Sequence, residues 1–226
     1  MVTGTPEEVA ACEEPYTGRY LKRMLQRENG ELPMRIILAR HGETDWNATG
    51  RVQGASDTDL NDKGRTQAEE LGRRLAESGE KIDICYASPK RRAFETAEIV
   101  CRHLELEPIP VEDLREVSFG AWEGCTWPEI EHQWAEEYEA YQVDRMKVGP
   151  PDGESLRDAL ERILPALDAV AAGPGETALV VCHSGVIRAV LGWQAGVPFD
   201  NKALYRFNVP NAQWVALDWD RTGQNR

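Results

Sequence analysis

This chain of 226 residues predicts a three-layer α/β/α fold with a mainly parallel central sheet. Two observations carry that reading. Apolar runs of strand length alternate with stretches whose apolar residues recur at helical spacing, the order seen when helices cover both faces of a parallel sheet. The run Ala178-Leu179-Val180-Val181-Cys182 is continuous rather than alternating, as a central strand covered on both sides requires. The length favours one domain with a small appendage, enough to bury roughly 70% or more of the unfolded chain's surface.

The chain divides into an N-terminal extension, 1–33, and a domain, 34–226. Within the extension, Tyr20, Leu21, Met24 and Leu25 recur at helical spacing among Arg19, Lys22, Arg23 and Arg27, and Asn29-Gly30 ends the pattern. This short amphipathic helix either docks on the body or recruits a partner, so a homodimer stays open. Met34-Arg35-Ile36-Ile37-Leu38 reads as the first strand. Asn61 or Asp62 caps a helix running to about Ser78, with Ala68, Leu71 and Leu75 inward and Gly79 as a stop. Ile82, Ile84 and Tyr86 alternate as a second strand.

Ser88-Pro89 opens a helix with Pro at its first position, striped by Ala93, Ala97, Val100, Cys101 and Leu104. Pro108-Ile109-Pro110-Val111 is a short strand or extended piece. Thr126 and Glu129 form a capping box for one helix over 126–141, with Ile130, Trp134, Tyr138 and Tyr141 on one face. Ser155 and Asp158 cap the next helix, where Pro165 either kinks the axis or faces solvent. A short helix spans 186–193. Strands over 205–209 and 214–219 close the chain.

The net charge of −13 argues against nonspecific nucleic-acid binding, which needs a basic face. It does not forbid an anionic substrate, because a Debye length of about 8 Å screens distant carboxylates. No stretch approaches the ~18 apolar residues of a membrane span. The polar, acidic start lacks the basic and apolar regions of a signal peptide, so a cytoplasmic location is expected. The five cysteines form no C-x-x-C pair; Cys85, Cys101 and Cys182 sit in apolar patterns and read as packed free thiols.

The chemistry concentrates in Ala39-Arg40-His41-Gly42-Glu43-Thr44. An Arg and a His stand at the carboxyl end of a strand, where open α/β sheets bind ligands. The guanidinium suits an anion, and a neutral imidazole can attack phosphorus. Val181-Cys182-His183-Ser184-Gly185 repeats the design, so two imidazoles can share one crevice. The other two histidines, His103 and His132, lie inside helical patterns and read as ordinary helix residues.

The Arg-His-Gly motif resembles the nucleophile motif of the histidine phosphatase (phosphoglycerate mutase-like) superfamily, and the resemblance runs over 34–217. It implies that Arg92, in Ser88-Pro89-Lys90-Arg91-Arg92-Ala93, is a second phosphate-binding Arg, with Arg91 a solvated neighbour. It implies that Glu116, in Leu114-Arg115-Glu116-Val117-Ser118-Phe119-Gly120-Ala121-Trp122-Glu123-Gly124, is the proton donor; by itself one Glu among 39 acidic residues would pass as surface. Glu123 matches a noncatalytic position. Asn47, Thr44, Gln53 and Gly54 are implied binding groups. Gly153-Glu154-Ser155 resembles a helix-start motif on the same rim. Ser184 departs from the Gly usual after the second His, and its hydroxyl either reaches a phosphate oxygen or bonds its own backbone.

The resemblance implies hydrolysis of a small phosphorylated metabolite through phosphohistidine on His41, with Arg40, Arg92 and His183 stabilising charge and no metal or cofactor. Phe119 to Gly124 followed by Thr126-Trp127-Pro128-Glu129-Ile130 brings it nearest the broad-specificity and α-ribazole-5′-phosphate phosphatases. A phosphoglycerate mutase is the alternative, although the stretch before His183 holds Arg145 and Lys147 without the long Arg-rich insertion of such enzymes. A noncatalytic binding module is a weaker third reading, because the whole catalytic set is present. Trp122, Trp127, Trp134 and Tyr138 are expected to shape an aromatic pocket.

Overall fold

The computed structural model describes residues 33–219; the helix expected at 20–25 and Cys12 lie outside the described residues. Five strands form one sheet: Met34–Arg40 (β1), Ile84–Ala87 (β2), Pro108–Pro110 (β3), Thr177–Cys182 (β4) and Trp214–Trp219 (β5). Their order is β3-β2-β4-β1-β5, and all neighbours run parallel except β5, which lies antiparallel to β1. The helices are Asp45–Ala48 (α1), Asp62–Glu77 (α2), Arg91–Leu104 (α3), Trp127–Gln133 (α4), Ala135–Val143 (α5), Leu156–Ala171 (α6), Ser184–Gln194 (α7) and Asn201–Leu204 (α8).

The period of two along a strand sends successive side chains to opposite faces. Met34, Ile36 and Leu38 of β1, with Ala178, Val180 and Cys182 of β4, pack against Leu160, Ile163 and Leu167 of α6 and Val186, Ile187 and Val190 of α7. Ile37, Ala39, Leu179 and Val181 face the other way, onto Leu71 and Leu75 of α2 and Ala93, Ala97 and Val100 of α3. All six residues of β4 are buried, which is why that run is continuously apolar. The fold is therefore the three-layer arrangement expected. Cys85, Cys101 and Cys182 are buried free thiols. Pro165 lies on the exposed side of an unbroken α6.

A small cap rises between β3 and α6. Its own core is Val52, Trp122, Ile130 and Tyr141, with Phe119, Trp134 and Tyr138 packed against it. The single helix expected over 126–141 is two helices. Trp134 leaves the helical region (φ −132°, ψ 51°), and α5 restarts beyond it. The apolar spacing carries straight through the break and so could not reveal it. The bend wraps Tyr138 and Tyr141 around the buried Trp122 ring, at centroid distances of 6.2 and 5.2 Å.

Two further expectations are corrected. The helix after Ser88 starts at Arg91, not at Pro89. Ser88 still pairs with the sheet through its N–H to the Val181 carbonyl, and its hydroxyl accepts the Lys90 N–H, so Pro89 lies in a turn. The strand expected over 205–209 is absent: α8 is followed by a 3₁₀ turn, Tyr205–Phe207. The edge of β1 that such a strand needs is occupied by β5. The segment instead crosses the carboxyl end of β1, where the Val209 carbonyl accepts from Arg40.

Candidate active site

The register of β1 and β4 creates the site. Arg40 lies opposite Cys182, so the next residue of each strand, His41 and His183, leaves the sheet beside the other. The His41 N–H extends the ladder to the Cys182 carbonyl. The two rings meet edge to face with centroids 5.2 Å apart. His41 Nδ1 lies 2.7 Å from the Gly42 carbonyl, which can only accept. Nδ1 therefore carries the proton, and the lone pair sits on Nε2. The turn behind it is tight, because a Cβ on Gly42 would stand 2.4 Å from the Gly64 carbonyl oxygen. Asn211 donates from its amide to the His41 and Gly42 carbonyls and to Asn47 Oδ1.

Arg92 reaches the same point from the first turn of α3. It is fully buried, and its two terminal nitrogens donate to the Ser56 and Gly54 carbonyls at 2.7 and 2.8 Å. Gly54 has a positive φ of 54°, and a Cβ there would lie 2.2 Å from Glu123 Oε1. That carboxylate accepts from the Ala55, Ser56 and Phe119 N–H groups, so Glu123 fastens the loop that Arg92 grips. Arg91, exposed, pairs outward with Asp57 and Asp59.

Glu116 sits against the N-terminus of α7. Its oxygens accept the N–H groups of Val117, Gly185 and Val186 at 2.9, 3.1 and 3.2 Å. His183 is the residue before α7 and offers it no side-chain cap, so Glu116 supplies the acceptor that the helix end lacks. A Cβ at position 185 would stand 2.5 Å from Glu116 Oε1. Replacing Gly185 by Ala is therefore expected to displace the Glu116 carboxyl and lower kcat about 10²-fold, the scale of a misplaced general acid. A kcat within threefold of the parent, on this same scale, would show that the carboxyl position is not critical.

Burial, reinforced by Arg92 and then Arg40, holds the His41 imidazole well below its ordinary value. His183 is lowered in the same way, by burial and then by Arg92, His41 and Arg40. Both rings are therefore neutral at pH 7. Burial lowers the Arg40 guanidinium to about 10, so it stays charged there. Between pH 6.5 and the lowered folded values, the unfolded chain binds two protons that the folded chain does not. Stability is thus complete above pH 6.5 and falls as the solution is acidified. Urea unfolding is expected to show a loss of up to about 3 kcal/mol between pH 7.5 and 5.5, about 1.4 kcal/mol per ring. Stability that rises over that interval would contradict the neutral pair.

Arg40, His41, Arg92 and Glu116 face a cavity of about 180 Å³, which also takes in Asn47, Gln53, Gly54 and Ser184; His183 does not line it and lies fully buried behind the His41 ring. The Gln53 amide oxygen already accepts the hydroxyls of Thr44 and Thr58, so its NH₂ is the end offered to a ligand. The Ser184 hydroxyl is buried with no partner among the described residues. Thr44, expected to bind substrate, does not line the cavity; it caps α1 and braces Gln53. Glu154 bonds to Arg162 and the Ser118 N–H, and Ser155 caps α6, so that motif is structural. Of the four aromatics expected at the pocket only Trp127 lines it, joined by Phe119 and Tyr141; Trp122 is buried beneath.

Sequence reasoning missed four contributors. Ser88 holds His183 Nε2 at 2.8 Å, Asn211 braces the His41 turn, and Arg145 and Arg188 line the cavity wall. Only the run preceding Arg92 hinted at Ser88. Among the described residues no group of three or more His, Cys, Asp or Glu side chains could hold a metal ion. No helix among them is long and apolar enough to cross a membrane.

Paired imidazoles at the ends of two adjacent parallel strands, with buried guanidiniums beside them, define a class of phosphoryl-transfer site. The model of the histidine phosphatase superfamily, branch 1, matches residues 36–225, and the chain belongs to that family. It is 40% identical over 158 residues to phosphoglycerate mutase-like protein 4 of Arabidopsis thaliana, covering 69% of this chain and 68% of that protein. It is 32% identical over 185 residues to phosphoserine phosphatase 1 of Hydrogenobacter thermophilus, covering 81% and 86%. Its fold superposes on mycobacterial glucosyl-3-phosphoglycerate phosphatase, solved with VO3, with a TM-score of 0.74 and 29% identity over 84% of this chain and 94% of that one.

Proposed function

We propose that this chain is a phosphomonoesterase acting on a small phosphorylated metabolite through a phosphohistidine on His41. The observation that supports this most is the neutral His41 ring, proton fixed on Nδ1, standing 5.2 Å from His183 beside two buried arginines. His41 Nε2 attacks phosphorus, the bond to the leaving oxygen breaks, and the Glu116 carboxyl gives that oxygen its proton. Water then attacks the phosphohistidine, Glu116 takes a proton from the water, and the P–N bond breaks to release phosphate. Arg40, Arg92 and His183, with the Ser184 hydroxyl and Gln53 amide, meet the non-bridging oxygens. Uncatalysed monoester hydrolysis is so slow that most of the acceleration must come from this charge stabilisation.

No step in this scheme uses a metal, because the guanidiniums supply the positive charge. Phosphate release from a panel of monoesters (phosphoserine, 3-phosphoglycerate, α-ribazole phosphate, sugar phosphates and p-nitrophenyl phosphate) is therefore expected to persist in EDTA. Loss of all release on chelation would contradict the scheme. The 40% identity to a mutase-like protein gives one further use to the panel. Formation of 2-phosphoglycerate from 3-phosphoglycerate faster than phosphate release would make the enzyme a mutase.

A further inference from the structure

A chain with a net charge of −13 gathers five arginines around its cavity, Arg40, Arg51, Arg92, Arg145 and Arg188, against one carboxylate, Glu116. A phosphate dianion accounts for Arg40 and Arg92, which flank His41. Arg51 stands at the rim and donates to the Gly124 carbonyl and Glu129. That leaves Arg188, on the wall that α7 forms with the turn after α5, where Arg145 stands.

Arg188 is the more telling of the two. Its terminal nitrogen donates to the neutral Asn208 side chain, and its Nε is buried with no partner among the described residues. Among the described residues it forms no ion pair. Arg145 is buried over the Tyr141 ring, its guanidinium carbon 4.4 Å from the centroid, and donates to the neutral Gln142 amide. Burial lowers Arg188; Glu116 opposes that lowering and Arg145 adds to it, so the two cations feel each other across the wall. Glu116 is already held by three main-chain N–H groups. A desolvated guanidinium such as Arg188, with no carboxylate bonded to it among the described residues, is costly, and an anion placed beside it relieves the cost.

We infer that Arg188 and Arg145 form a second anion subsite, which takes a carboxylate carried by the leaving group. The inference rests on the phosphomonoesterase reading and narrows its substrate to short carboxylated phosphomonoesters. A guanidinium fork matches a planar carboxylate. Arg188 follows Gly185 by three residues on one face of α7, and Glu116 accepts the Gly185 N–H, so the carboxylate is placed on the same side as the oxygen that Glu116 protonates. A cavity of about 180 Å³ holds on the order of a dozen water-sized groups, which suits a phosphate, a chain of two or three carbons and a carboxylate.

The test compares kcat/KM for pairs that differ chiefly in the carboxylate: phosphoserine against O-phosphoethanolamine, and 3-phosphoglycerate against glycerol 3-phosphate. The unsubstituted protein is expected to favour the carboxylated member by at least about tenfold, mainly through KM, the scale of one hydrogen-bonded charge pair. Arg188→Gln is expected to collapse that ratio toward unity, and Arg188→Lys to retain part of it. A ratio near unity in the unsubstituted protein overturns the subsite without any variant. So does a ratio that Arg188→Gln leaves intact, or a stronger preference for a bisphosphate such as fructose 1,6-bisphosphate. Release from none of these esters, nor from p-nitrophenyl phosphate, overturns the phosphatase reading instead.

Discussion

Replacing His41 by Ala is expected to lower kcat/KM for every phosphomonoester by at least about 10⁴-fold, because in the proposed scheme its Nε2 is the atom that receives the phosphoryl group. His183 cannot substitute. Its Nε2 is engaged with Ser88, and its own approach to phosphorus would displace the His41 ring that stands edge to face with it. The loss should not come from unfolding. The Gly42 carbonyl that His41 Nδ1 bonds keeps the Asn211 amide as a donor, and Gly42 stays in its tight contact with Gly64. The variant should also lose about half of the acid-induced destabilisation, since one of the two buried neutral rings is gone. An activity loss below about 100-fold would mean that another nucleophile, or water directly, attacks the ester.

Arg92→Met should be less damaging in catalysis but worse for stability. Arg92 brings a buried positive charge to the cavity, where the proposed scheme places the phosphoryl oxygens, and removing such a group costs on the order of 10²–10³ in kcat. The substitution also strips donors from the Gly54 and Ser56 carbonyls, at about 1–3 kcal/mol for each acceptor left unsatisfied. The loop these carbonyls anchor carries Gln53 into the cavity, so KM should rise as well. Arg92 is, after burial, the largest cause lowering His41, so without it the imidazole protonates more readily. The acid limb of kcat/KM should move to higher pH. A variant with reduced stability but an unmoved acid limb would show that Arg92 is only a structural clamp.

The parts of the site fixed by local chain were legible in the sequence. His41 and His183 each end an apolar run before a glycine, and the parallel register does the rest, since Arg40 pairs with Cys182. The three layers followed from the same runs. Glu116 had no local signal. It is distinguished only by meeting the N-terminus of α7, about seventy residues onward, and Gly185 makes room for it; the family resemblance alone singled it out. Arg188 had no local signal for a similar reason, and Arg145 was noted only in weighing the mutase reading, because an arginine on an amphipathic helix and one in a polar turn look like surface until the cap folds over the strands. Thr44 misled because a threonine beside the nucleophile serves equally as a helix cap. The strand expected over 205–209 failed on a global constraint: the edge of β1 that it would have joined is taken by β5, and the segment crosses the carboxyl end of β1 instead.

The claim on which the account turns is covalent. The most direct test is rapid quenching of the enzyme in base during turnover of a ³²P-labelled monoester, followed by mapping of the labelled peptide. The account predicts an acid-labile, base-stable phosphoryl group on the peptide containing His41, absent from His41→Ala. Label on the His183 peptide, or turnover with no trapped label in a burst-phase experiment, would contradict it.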